Sequence, residues 1–225
     1  MTVFVTGTDT GCGKTYISGV LIRAAIVSGY SACGMKPVAT GVFRGENEDD
    51  ALLLEASSVK MPAKDRAVYS FEPPCSPHIA SGQTRTPISF AKINDAYRRC
   101  ATKAEVVVVE GVGGWRVPLA DDLFVADLAL FLKLPVLLVV GVKLGCINHA
   151  LLAAQSILDS GAPFVGWVAN QIDLDLYAAD EVVAFLEENI QAPLLFRTER
   201  GFPLEQTVTT ASFCIENICG GITAL

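Results

Sequence analysis

The stretch VFVTGTDTGCGKTY, residues 3–16, decides how the rest of the chain is read. An apolar run gives way to a glycine-rich turn, and Gly13-Lys14-Thr15 then opens a segment with apolar residues at helical spacing. A strand, glycines, Lys-Thr and a helix, in that order, make a phosphate-binding loop. Backbone N–H groups surround a concave space there and meet the positive end of the helix dipole. Lys14 would reach the outer phosphates and the Thr15 hydroxyl would ligate Mg²⁺. Gly11, Cys12, Gly13 and Tyr16 line the same turn. The spacing is unusual: five residues separate Gly7 from Gly13, where the common form of this loop has four. The extra residue widens the loop without removing any of these groups.

Outward from the loop, short apolar runs alternate with amphipathic ones. Residues 2–6 (TVFVT), 32–39 (ACGMKPVA, ending in a loop), 105–111 (EVVVVEG), 135–142 (PVLLVVGV) and 164–171 (FVGWVANQ) read as strands, the last three as strands covered on both faces. Residues 14–29, 122–133 and 148–161 read as helices, the last stopped by Gly161 and Pro163. This alternation predicts an α/β fold: a doubly wound, mostly parallel sheet with helices on both faces, of the P-loop NTPase type, as one domain over 1–225. Residues 60–90, with prolines at 62, 73, 74, 77 and 87, read as a long irregular loop. Ligands of such sheets sit beyond the carboxyl ends of the strands. That selects Thr6–Thr15, Lys36–Gly41, Glu110–Trp115, Val142–Asn148 and Asn170.

Composition narrows the function classes. A net charge of −7 argues against a nucleic-acid footprint, which needs clustered Lys and Arg. Seven cysteines without a CxxC pair suggest reduced thiols, neither a disulfide framework nor a zinc site. The apolar runs are too short to span a bilayer, and the amino terminus has no signal-peptide layout, so no membrane role and a cytoplasmic location are expected.

Several residues at the strand ends carry chemistry. Glu110, after four valines, is a carboxylate placed across the sheet from the loop, suited to share Mg²⁺ with nucleotide oxygens, and the glycines after it, Gly113 among them, let a ligand approach the backbone. Lys36, at the strand end before Pro37, would bracket with Lys14 an anion formed during phosphoryl transfer. Asp49 and Asp50 read equally as an acidic helix start or as metal ligands. The turn KLGCINH, 143–149, offers helix N-terminal N–H groups to an anion such as a carboxylate. His78 and His149 have no visible nucleophile or metal partner.

In order, GTDTGCGKT, GMKPVATG, SPHIAS, VEGVGGWRVPL, VVGVKLGCINHALL and GWVAN resemble the motifs of the dethiobiotin synthetase family, in which the five-residue loop spacing is normal. The likeness runs to about Pro193. It implies an ATP-dependent ligase that closes a cyclic urea from 7,8-diaminononanoate and CO2 (or bicarbonate), through a carbamate and a carbamic–phosphoric anhydride, releasing ADP and phosphate. By position, Lys14 and Lys36 stabilise the carbamate and the transferring phosphoryl group. Thr15, Asp50 and Glu110 hold Mg²⁺, with Asp49 a spare. Thr40 and Ser76 touch the diamine, and Asn170 recognises the base. Gly145, Cys146 and Asn148 of a second copy bind the substrate carboxylate, which implies a homodimer.

Two departures stand out. The family often has Glu where Gly11 stands, and the run FRTERGFPLEQ, 196–206, replaces a Gly-Glu-Ile-Pro type of sequence near the base pocket. Two other classes fit less well. ATP-driven partitioning switches carry a signature lysine early in the loop, and Gly7-Thr8-Asp9-Thr10 has none. Amidoligases of cobalamin synthesis need a glutaminase domain for which the chain has no room. A relative that binds nucleotide without catalysis has Gly11 as its sole hint.

Overall fold

The computed structural model describes residues 1–43, 47–199 and 203–215. In chain order the first elements are β1 (Thr2–Gly7), α1 (Lys14–Val27), β2 (Ala32–Met35), β3 (Val38–Thr40), α2 (Glu48–Ala56), α3 (Ala63–Arg66) and β4 (Tyr69–Phe71). Next come α4 (Pro77–Thr84), α5 (Phe90–Ala101), β5 (Val106–Glu110), β6 (Pro118–Ala120), β7 (Leu123–Phe124) and α6 (Val125–Leu132). The last are β8 (Val136–Val142), α7 (Cys146–Asp159), β9 (Phe164–Gln171), α8 (Ala179–Asn189), β10 (Leu194–Glu199) and α9 (Leu204–Ser212).

Six strands form one sheet in the order β10-β9-β8-β1-β5-β2, and every pairing in it is parallel. The strands read as continuous apolar runs because both faces are covered. On β1, Val3 and Val5 pack with Ile17, Val20 and Leu21 of α1, while Phe4 between them faces the opposite core with Trp115, Leu128 and Trp167. This alternation sets the doubly wound α/β architecture and puts the carboxyl end of β1 mid-sheet, where the glycine-rich turn leaves it.

Three local expectations change. The run 32–39 is two strands: β2 pairs with β5 in the main sheet, whereas β3 pairs with β4 in a separate two-stranded ladder. Pro37 causes the break, since it has no N–H to extend the ladder. Lys36 N donates instead to Arg66 O (2.7 Å), and Tyr69 N donates to Pro37 O (3.0 Å). The segment 60–90 is not a bare loop, because it carries α3, β4 and α4. In the divergent tail, β10 adds a sixth strand beside β9 and α9 packs on α1. Arg200, Gly201 and Phe202 of that run lie outside the described residues. Among the described residues no helix is long and apolar enough to cross a membrane.

Candidate active site

Gly13 shows why the loop needs its glycines. It sits at φ +92°, in the left-handed region, and a Cβ there would lie 2.0 Å from the Asn170 side-chain nitrogen. Asn170, near the end of β9, is buried and donates from Nδ2 to the Cys12 carbonyl (2.8 Å), so one arm of its amide braces the loop from behind. Gly13→Ala is therefore expected to weaken nucleotide binding by an order of magnitude or more, through strain and the displaced Asn170. Equilibrium titration with ATP checks this; unchanged affinity would contradict it.

Further residues set the loop's shape. Lys14 Nζ folds back onto the Asp9 carbonyl (2.9 Å). The Asp9 side chain accepts from Thr10 N (2.7 Å) and pairs with Lys143 at 3.5 Å, tying the loop to the turn before α7. Gly11 has φ +78°, and a Cβ there would meet nothing within 4 Å, so the residue opens space without distorting its neighbours. Tyr16 reaches from α1 to Thr207 of α9 (3.3 Å).

Beside the loop, four side chains close a ring. Lys36 Nζ lies 2.6 Å from Glu110 Oε1, 2.9 Å from Asp49 Oδ2 and 3.1 Å from the Gly111 carbonyl. The Thr15 hydroxyl lies 2.8 Å from Asp49 Oδ1 and 2.9 Å from Glu110 Oε1. Glu110 is fully buried at the tip of β5, so water cannot neutralise it and the ammonium must. Burial draws the Lys36 ammonium down, yet the Glu110 and Asp49 carboxylates outweigh burial and hold it above its ordinary range. Burial likewise pushes the Asp49 carboxyl up, and Lys36, with help from Thr15, holds it below the ordinary value.

The sign of the Asp49 shift gives a test. Its contribution to stability is fully present above the unfolded value of 3.8 and is lost as pH falls through the lower folded value. Asp49→Asn should therefore lose less thermal stability than the parent when pH is lowered from about 6 to about 3. Equal losses in both proteins would contradict the assignment.

Asp50, rather than Asp49, is the metal ligand expected from the sequence, and the structure gives the two neighbours different partners. The Asp50 carboxylate pairs with Arg66 Nε at 2.8 Å, on the residue next to the ring's Asp49. Burial pushes its carboxyl above the ordinary range, against the pull of Arg66. Adjacent residues in the first turn of α2 point about 100° apart, so only one of them faces Thr15 and Glu110, and that one is Asp49.

The ring suits a hard divalent cation. Glu110 Oε2 is buried without a hydrogen-bond partner, which is costly for a carboxylate oxygen unless something else shares it. Among the described residues no cluster of three or more His, Cys, Asp or Glu could hold a metal. The donor set is thus two carboxylates and a hydroxyl, the sparse set that Mg²⁺ completes with water and phosphate oxygens.

A cavity of about 300 Å³ opens over the ring, lined by Gly11, Gly13, Lys14, Thr15, Lys36, Thr40, Asp49, Glu110 and Gly113 among others. A second, of about 350 Å³, shares Thr10 and Gly113 with it and runs past Trp115 to His149 and Leu152 of α7. Ser76 lines neither; it sits at the start of α4, with its hydroxyl 3.0 Å from His78 Nδ1. Gly145 and Cys146 open α7, Cys146 buried, while Asn148 lies on the exposed side of that helix facing a separate cavity with Leu151 and Gln191. Within one chain these three residues are not brought to Lys36. Leu144 (87% exposed) and Leu152 (64%) flank them.

Sheet, loop and charged ring together define a P-loop protein that acts on nucleoside triphosphates. A family model described as an AAA domain matches residues 1–200. The ATP-dependent dethiobiotin synthetase BioD of Aromatoleum aromaticum is 48% identical over 197 residues, covering 85% of this chain and 87% of that protein. The chain belongs to the dethiobiotin synthetase family. Solved structures resemble it in fold alone. The septum site-determining protein MinD complexed with Mg-ADP from Pyrococcus horikoshii OT3 has TM-score 0.56 at 13% identity, covering 100% of this chain and 97% of that one. The signal recognition particle 54 kDa protein from Aeropyrum pernix K1, complexed with GDP, has TM-score 0.54 at 17% identity; the match covers 98% of this chain and 46% of that one.

Proposed function

We propose that this chain closes the ureido ring of dethiobiotin from 7,8-diaminononanoate and CO2, cleaving ATP to ADP and phosphate. The observation that carries the reading is the convergence of Lys14, Lys36, Thr15 and two carboxylates on one cavity at the phosphate loop. One amine of the diamine adds CO2 and loses a proton to give a carbamate. The carbamate oxygen attacks the γ-phosphorus of ATP and ADP leaves. The second amine then attacks the carbonyl carbon of the anhydride, the C–O bond to phosphate breaks, and the cyclic urea forms.

Little covalent help is needed from the protein; positioning and charge do the work. Lys14 extends along the outer phosphates, and Lys36 faces the carbamate and phosphoryl oxygens as negative charge moves between them. Mg²⁺, held by Thr15, Glu110 and an aspartate at the start of α2 with nucleotide oxygens, would neutralise charge on the transferring phosphoryl group. Thr40, on the cavity wall, orients the diamine, and Asn170 contributes to the base site behind the loop. The second cavity gives the aliphatic tail a path toward the exposed face of α7. There Gly145, Cys146 and Asn148 of a second copy take the carboxylate, which makes the working form a homodimer, with the cytoplasm as its location.

Phosphate release measured with MgATP, diamine and bicarbonate, each omitted in turn and with product mass read alongside, tests the reading. Release that requires both co-substrates and yields the cyclic urea is expected. Release indifferent to the diamine would point instead to an ATP-driven switch of the partitioning type.

A further inference from the structure

We propose that Arg116 is a specificity-determining residue that reads the carboxylate at the far end of the substrate, from the same chain that carries the reaction. The inference rests on the ring-closing function proposed above. Arg116 follows the glycine turn that leaves β5, and both of its neighbours are fixed. Trp115 is buried, donates from Nε1 to the Ser156 carbonyl of α7 (3.2 Å) and accepts at its own carbonyl from Ala126 N (3.0 Å). The Val117 carbonyl accepts from Val125 N (2.9 Å). Between them Arg116 is exposed, and its guanidinium lies 4.2 Å from the centroid of the Phe124 ring. Contact with a ring uses the flat face of a guanidinium and leaves its N–H edge free to fork onto a carboxylate.

Among the described residues that guanidinium has no acidic partner, and its contact is the Phe124 ring. Arg116 lines the cavity of about 350 Å³, which meets the reaction cavity at Thr10 and Gly113. The carboxylate on the same wall, Asp9, is already committed to Thr10 N (2.7 Å) and to Lys143 (3.5 Å). Val117, Leu152 and Ala153 give the wall its apolar surface. A diamine held at the ring-closing end by its amines runs its methylene chain along these side chains and brings an anionic end to an unpaired cation. The turn of a second copy offers backbone N–H groups to the same carboxylate, but those groups carry no net charge. Arg116 supplies the charge, and with it the preference for an acid over a neutral diamine of the same length.

The test compares two substrates, 7,8-diaminononanoate and its primary amide, which keeps the diamine and the chain and removes the charge. Ring closure gives KM and kcat for each, and equilibrium titration gives the affinity for ATP. Arg116→Met should raise KM for the acid about tenfold, the value of a charged hydrogen bond, and leave KM for the amide and the affinity for ATP as they are in the parent. Arg116→Lys, which keeps the charge without the fork, should recover part of the loss. Phe124→Leu, which removes the ring under the guanidinium, should raise KM for the acid about threefold. An unchanged KM for the acid in Arg116→Met, or an equal rise for acid and amide, would overturn the proposal and leave the ring-closing function in place. Weaker ATP binding in Arg116→Met with the preference for the acid intact would assign the guanidinium to the phosphates and overturn it too. A parent chain that closes no ring from the diamine would remove the proposed function and this inference with it. Should Arg116→Met not fold, Phe124→Leu decides: a preference for the acid equal to that of the parent overturns the proposal.

Discussion

Lys36→Ala should lower the rate of ring closure by roughly 10²–10³-fold, the scale of losing one preorganised donor at a developing anion. Nucleotide affinity measured without metal should stay near that of the parent, because Lys36 touches the carboxylates rather than the phosphate loop. The side chain is 4% exposed and ends against Asp49 and Glu110, both of which line the cavity over the phosphate loop. Single-turnover phosphate release beside equilibrium ATP binding separates the two effects. Normal turnover would remove Lys36 from the mechanism, whereas an equal loss in both would make it a structural residue.

Asp49→Asn and Asp50→Asn should behave as opposites although the residues are neighbours. Asp49→Asn should raise the Mg²⁺ concentration needed for turnover by roughly 100-fold or more, since even outer partners of metal ligands cost 10–100-fold. Asp50→Asn should leave the Mg²⁺ requirement nearly unchanged. It should instead cost about 1–3 kcal/mol of stability by depriving the largely buried Arg66 of its carboxylate. Turnover against Mg²⁺ concentration and thermal melting of both variants check the pair. If Asp50→Asn carries the metal phenotype, α2 sits one residue out of the register described above.

That pair also marks where the sequence stops being legible. Thr15, Lys14, Lys36 and Glu110 could be placed by reading strand ends, because a strand of continuous valines has one exit and its next polar residue must sit there. Asp49 could not. Both aspartates suit the first turn of a helix, and which one faces the loop depends on the rotation of α2. That rotation is tied to Arg66, in a segment whose prolines make it read as loop. The same segment concealed the break at Lys36-Pro37: apolar composition carries straight through 32–39, while the missing Pro37 N–H and the Arg66 carbonyl end the strand. The Lys143–Asp9 tie had a readable signal, a lysine at the exit of one strand and an aspartate in the neighbouring loop, but strand order is needed to bring them together. β10 was hidden because the tail departs from the family pattern, although its pairing with β9 needs only backbone groups.

The most direct test of the ring-closing reaction at this site follows one oxygen atom. With rapidly mixed ¹⁸O-labelled bicarbonate, MgATP and the diamine, the carbamate oxygen that attacks the γ-phosphorus stays with the phosphate when the second amine displaces it. One ¹⁸O should therefore appear in the inorganic phosphate for each cyclic urea formed. Phosphate carrying only solvent oxygen, or none from bicarbonate while the urea still forms, would contradict phosphorylation of a carbamate in the Lys14–Lys36 cavity.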